Sequence, residues 1–116
     1  MTIAQITALL DARILCGEQK LDGEVLSACG CDMMSDVLAY TKDNSVMLTG
    51  LINPQVIRTA EMVDVICIVF VRGKTPTEAM IEMARERELV VLSTHHRMFS
   101  ACGILYSNGL DGGGKV

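Results

Sequence analysis

Apolar positions along the chain recur with two periods, and the alternation between them predicts an α/β domain. Thr2-Ile3-Ala4-Gln5 has the form of a capping box, a hydroxyl for the first free amides with a Gln three places on. Ile3, Ile6, Leu9 and Leu10 follow at helical spacing, so a first helix is expected to about Leu10. Ala12 to Cys16 reads as a strand ended by Gly17, Glu18 to Glu24 as a polar turn, and Val25 to Cys31 as a strand that Gly30 weakens.

From Met33 onward strand follows helix regularly. Met33 to Tyr40 is helical in pattern, Ser45 to Leu48 is a strand, and Asn53-Pro54 opens a helix to about Val63, with a cap residue and a proline at the first helical position. Val65 to Val71 is a near-continuous β-branched and apolar run, the mark of a strand covered on both faces, and is expected at the centre of the sheet. Thr75-Pro76-Thr77-Glu78 supplies another start signal, with Thr75 as the capping hydroxyl, for a helix carrying Ala79, Met80, Met83, Ala84 and Arg87. Leu89 to Leu92 is the next strand, and Thr94 or a neighbour caps a last helix bearing Met98, Phe99, Cys102, Leu105 and Tyr106.

Strands separated by helices imply βαβ units, so a three-layer α/β/α domain with a largely parallel central sheet is expected, right-handed crossovers placing helices on both faces. Residues 1–109 form one domain, and residues 110–116, with three consecutive glycines, are expected to be a flexible tail.

At 116 residues the chain is long enough for one core and too short for two. A net charge of −4 and 3% aromatic residues argue against nucleic acid as a partner. The longest apolar run falls far short of the ~20 residues of a membrane helix, and no basic segment leads into an apolar signal core; no membrane association is expected, and a cytoplasmic location is. The five cysteines are an odd number spread through apolar segments, which fits a reducing compartment better than a disulfide framework.

In an open parallel sheet, ligands bind beyond the carboxyl ends of the strands. Three loops there carry candidate chemistry: Thr49, Gly50 and Asn53; Arg72, Gly73 and Lys74; and Ser93, Thr94, His95, His96 and Arg97. The second and third gather a large share of the cations of an acidic chain beside helix starts, as phosphate or carboxylate recognition requires. The plain alternative is that they are solvated loop residues. No catalytic residue is assigned: Asp32, Asp36, Glu61 and Asp64 are read as caps, and the cysteines as core residues. Cys29 and Cys31 with His95 and His96 leave a thiol or metal site as an alternative, though no fourth ligand is evident and neither cofactor nor metal is expected.

Ser35-Asp36-Val37-Leu38-Ala39, Leu48-Thr49-Gly50, Asn53-Pro54, Ala60, Arg72-Gly73-Lys74 with Pro76, Ser93-Thr94, Phe99 and Gly103-x-Leu105-Tyr106 together resemble the DRTGG domain family, over roughly residues 1–110. Asp36, Thr49, Gly50 and Gly73 match residue types in the family's name, with Arg72 as the candidate for its Arg. The resemblance implies a fold like the N-terminal domain of HPr kinase/phosphorylase. It also implies a regulatory, ligand-sensing or subunit-pairing role, since such domains accompany CBS domains in some pyrophosphatases and occur within long phosphate acetyltransferases. The expectation is a stand-alone, non-enzymatic module that binds a phosphorylated or nucleotide-like small molecule and acts on a partner enzyme in trans. The ligand residues would be Asp36, Thr49, Gly50, Asn53, Arg72, Gly73, Lys74, Ser93, Thr94, His95, His96 and Arg97. A short chain this apolar is also expected to pair with itself as a homodimer, which stands as an alternative function without a small-molecule ligand.

Overall fold

Thr2 Oγ1 accepts from the Gln5 amide at 3.1 Å and Gln5 Oε1 from the Thr2 amide at 2.8 Å. From this reciprocal cap α1 (Ile3–Leu9) begins in the computed structural model, which describes residues 1–113. There follow β1 (Arg13–Cys16), a 3₁₀ turn (Glu18–Lys20), β2 (Ser27–Gly30), α2 (Met34–Tyr40), β3 (Ser45–Thr49), α3 (Gln55–Met62), β4 (Val65–Phe70), α4 (Glu78–Glu86), β5 (Val90–Ser93) and α5 (Met98–Ser107).

The strands form one sheet in the order β1-β5-β4-β3-β2, with β2 to β5 parallel and β1 antiparallel to β5. The apolar run at Val65 lies at its centre, and Cys67, Ile68, Val69 and Phe70 are all inaccessible to solvent. Burying each large side chain of that kind contributes ~1.5–3 kcal/mol, so β4 and its neighbours form a rigid base for the loops above.

Both faces of the sheet are covered, by a different route from the one the βαβ pattern predicts. Because β2 to β5 are added in one direction, crossovers of one hand set α2, α3 and α4 on a single face. Val37, Val56, Ile57, Ala60, Met80 and Ala84 pack there on Met47, Ile68 and Phe70. The second face is covered by the terminal helices, where Ile3, Ile6 and Leu10 of α1 and its cap meet Ala101 and Leu105 of α5 over Val46, Leu48, Val69 and Leu92. The parallel part of the sheet therefore has no reversal of strand order, and hence no switch-point crevice.

Local departures from the sequence pattern have identifiable causes. The cap of α4 is Thr77 instead of Thr75: Thr77 is extended at φ −71° and ψ 161°, and its hydroxyl accepts from the Met80 amide at 3.2 Å. Pro76 is drawn into the interior, which leaves Thr75 outside the helix. Thr94 does not cap α5. Its buried hydroxyl donates to the Leu10 carbonyl at 2.7 Å, and α5 begins after Arg97 with no side-chain cap. β2 is shorter than its apolar run: just before it the Val25 amide bonds the Met1 carbonyl at 2.7 Å and Glu24 bridges Thr2, so that end of the run pairs with the start of the chain. The segment expected to be free from residue 110 begins packed, with Leu110 buried and the Asp111 carbonyl accepting from the Ala28 amide at 2.9 Å along the edge of β2. Residues 114–116 of that tail lie outside the described residues.

Candidate functional site

Register alone brings the candidate loops together. Thr49 pairs with Phe70 and Phe70 with Ser93, so the chain leaves β3, β4 and β5 at one rim. β2 ends at the same level, Gly30 opposite Leu48, and the Cys31 amide adds one more bond to the Leu48 carbonyl. Asp32 is thereby set beside Gly50.

The Asp32 carboxylate organises this corner. Its Oδ1 accepts from the Thr49 hydroxyl and from the Gly50 amide, each at 2.8 Å, and its Oδ2 lies 3.7 Å from Arg72 Nη2. The Gly50 amide first, then the Thr49 hydroxyl and the charges of Arg72 and Lys74, hold the Asp32 carboxyl below its ordinary pKa, against the rise that partial burial would cause. The Thr49 hydroxyl also accepts from the Leu51 amide at 3.2 Å, which fixes the start of the loop. The guanidinium of Arg72 occupies the space where a side chain on Gly50 would be.

Arg72 itself has a left-handed backbone, φ 61°, followed by Gly73 at φ 68°. With the Lys74 amide bonded to the Val71 carbonyl at 3.2 Å, this is a type I′ turn, whose first central position favours Asn, Asp or Gly. An arginine there stores ~1 kcal/mol or more of backbone strain. The neighbouring loop holds the turn in place: the Arg72 amide donates to the His96 carbonyl and the Gly73 amide to the Thr94 carbonyl, both at 2.8 Å. Ser93 Oγ adds a bond to the Lys74 carbonyl at 2.8 Å. The two cationic loops are thus one hydrogen-bonded unit.

The twelve residues named from sequence divide by what their side chains do. Thr49, Ser93 and Thr94 are buried with their hydroxyls engaged internally, and Asn53 accepts from the Gln55 amide at 2.8 Å as a helix-starting residue. Gly50 and Gly73 act through their backbones. Arg72, Lys74, His95 and Arg97 are exposed and His96 is half-buried, with the two imidazoles 4.3 Å apart between centroids. Asp36 is not brought to the cluster: it sits exposed on the first turn of α2 with no side-chain hydrogen bond or ion pair among the described residues. The carboxylate that joins the site is Asp32, read from sequence only as a cap. Its position directly after a strand, like those of Gly50, Arg72 and Thr94, is the signal that marks it.

The sequence profile of the DRTGG domain matches residues 5–107, nearly the whole chain. The chain belongs to the DRTGG domain family. Asp32, Arg72, Thr49, Gly50 and Gly73, all of the residue types in the family's name, meet at the carboxyl rim of this DRTGG domain. Among solved structures, it is similar to the CBS and DRTGG domains of the regulatory region of Clostridium perfringens pyrophosphatase, complexed with the activator diadenosine tetraphosphate. The two share 17% identity with a TM-score of 0.75, a likeness of fold, and the match covers 90% of this chain and 45% of that one. This chain therefore corresponds to less than half of that regulatory region. No curated protein matches it.

Two other features of the molecule lack the makings of a site. Burial pushes the thiols of Cys16, Cys67 and Cys102 up, which keeps them protonated and weakly nucleophilic. Cys29 and Cys31 do not converge with His95 and His96, and no three His, Cys, Asp or Glu side chains form a metal-binding group among the described residues. A cleft of about 430 Å³ opens at the amino ends of the strands, but its two cations are already paired, Arg87 with Glu61 at 2.8 Å and Lys20 with Glu88 at 3.7 Å. Among the described residues no helix is long and apolar enough to cross a membrane.

Proposed function

We propose that this DRTGG domain is a non-catalytic regulatory module whose carboxyl rim takes a phosphorylated or nucleotide-like small molecule. Arg72 and Lys74 hold the phosphate from one loop and His95, His96 and Arg97 from the other, and occupancy is passed to a partner protein. The observation that carries the reading is the state of Arg72. Its strained turn is pinned by two bonds donated to the neighbouring loop, while among the described residues its half-exposed guanidinium has only a 3.7 Å ion pair with Asp32. Such a surface pair contributes ~0–1 kcal/mol, so a phosphate offering bidentate charge-assisted bonds competes well for the same group. The rim is open surface, which suits recognition of an anion by its charge. The activator named with the Clostridium perfringens regulatory region, diadenosine tetraphosphate, is of this chemical class. A catalytic role finds less support, because the rim's carboxylate, Asp32, is committed to the Thr49 hydroxyl and the Gly50 amide.

Thermal-shift measurements with pyrophosphate, nucleotides and sugar phosphates test the proposal. A ligand at a hundred times its dissociation constant adds ~2.7 kcal/mol of stability. At least one of these compounds is expected to raise the melting temperature of the wild type and to leave that of Arg72→Asn unchanged. A panel that moves neither protein, or both equally, removes the reading.

A further inference from the structure

The last helix presents apolar side chains to both the sheet and the solvent. α5 has no charged residue in Met98–Ser107; Ala101 and Leu105 are buried beneath it, yet Phe99 is 90% and Tyr106 71% exposed on its outer side. A helix apolar all round is ordinarily covered all round. Between the two aromatic residues lies Gly103, and among the described residues no atom beyond its own helix backbone and chain neighbours comes within 4 Å of where its Cβ would be. Gly30 and Gly50 are explained by Cys102 and Arg72, which fill the space a side chain would take. Gly103 has neither such a neighbour nor a positive φ, and a glycine inside a helix weakens it relative to alanine. Nothing among the described residues of one copy accounts for it.

We infer that this face joins two copies of the chain, α5 packed antiparallel on α5 about a two-fold axis at Gly103. Phe99 lies one turn before that glycine and Tyr106 nearly one turn after it. An antiparallel crossing therefore sets each Phe99 against Tyr106 of the other copy, the self-complementary pairing that two-fold symmetry requires. Gly103 lets the helices approach closely at the crossing. Charge favours a second copy as the occupant: an uncharged helix meets itself with no like-charge opposition, whereas α3 and α4 would bring Arg58 and Glu61, or Glu78, Glu82 and Arg85, against their own copies. The area is sufficient as well. Aromatic side chains bury ~150–250 Å² each. Two from each copy, flanked by the half-buried Met98 and Ile104, reach the roughly 1,000 Å² that marks a specific interface.

Sedimentation of the full chain without ligand tests this pairing separately from binding at the rim. The wild type is expected to be dimeric, and Phe99→Glu and Gly103→Arg to dissociate at least about tenfold more readily while keeping the circular dichroism of the folded protein. Residue 103 has open space for the new side chain, so Gly103→Arg separates loss of pairing from loss of fold. A wild type that stays monomeric at every concentration, or a dimer unaffected by both substitutions, overturns the inference.

Discussion

The guanidinium of Arg72 lies over Gly50, in the space that a side chain at residue 50 would need. The atoms in the way are the far end of a flexible side chain, and Gly50 has no positive φ. Gly50→Ala is therefore expected to fold with a stability change below ~1 kcal/mol while displacing Arg72 and removing the response to phosphorylated ligands. Parallel melts with and without ligand measure both; a loss of several kcal/mol would show that the glycine serves the fold instead.

Asp32 should make the stability of the corner depend on pH. Its folded pKa is depressed, so the stabilisation is complete above the ordinary carboxylate pKa and is lost as pH falls through the lowered folded value. Asp32→Asn is expected to cost roughly 1–2 kcal/mol at neutral pH, since the Thr49 hydroxyl and the Gly50 amide lose an ionised acceptor. Denaturant melts from neutral to acidic pH should show the two proteins converging at the acid end. A gap that stays constant across the range would mean the carboxylate charge is irrelevant.

Arg72 is an unfavourable residue for the first central position of its turn. Asn tolerates the left-handed backbone better, so Arg72→Asn is expected to raise stability by ~0.5–1 kcal/mol while abolishing ligand binding. Gain of stability with loss of function is the signature of strain kept for a purpose. A less stable Arg72→Asn would show instead that the side chain helps hold the fold.

Thr75 and Thr77 compete on paper for one helix start. The Thr77 hydroxyl bonds the Met80 amide, so Thr77→Ala should lose ~1 kcal/mol and Thr75→Ala close to nothing. Chemical denaturation of the two variants decides between them.

The fold was more legible than the site because apolar periodicity reports burial directly. The run Val65 to Val71 reads as a strand covered on both faces and Asn53-Pro54 as a helix start, and β4 and α3 stand there. Polar residues are harder to read, since one side chain suits several partners. Thr94 looks like a helix cap in sequence, but its hydroxyl bonds Leu10, more than eighty positions away in the chain. Asp32 reads only as a cap in sequence, because Gly30 weakens the strand before it and hides that the loop after β2 reaches the rim. Asp36, one helical turn further on, offers the same residue type in sequence but stays outside the cluster. Leu110 was obscured by the glycines that follow it, which hid its packing beneath the edge of β2.

The rim above β3, β4 and β5 is proposed to receive a phosphorylated ligand. Amide chemical-shift mapping during titration with pyrophosphate and with a nucleotide tests it most directly. Saturable shifts are expected at Gly50, Arg72 to Lys74 and His95 to Arg97, whose amides share one hydrogen-bonded surface. Shifts confined to the opposite end, around Lys20 and Arg87, or no saturable shifts at all, would contradict it.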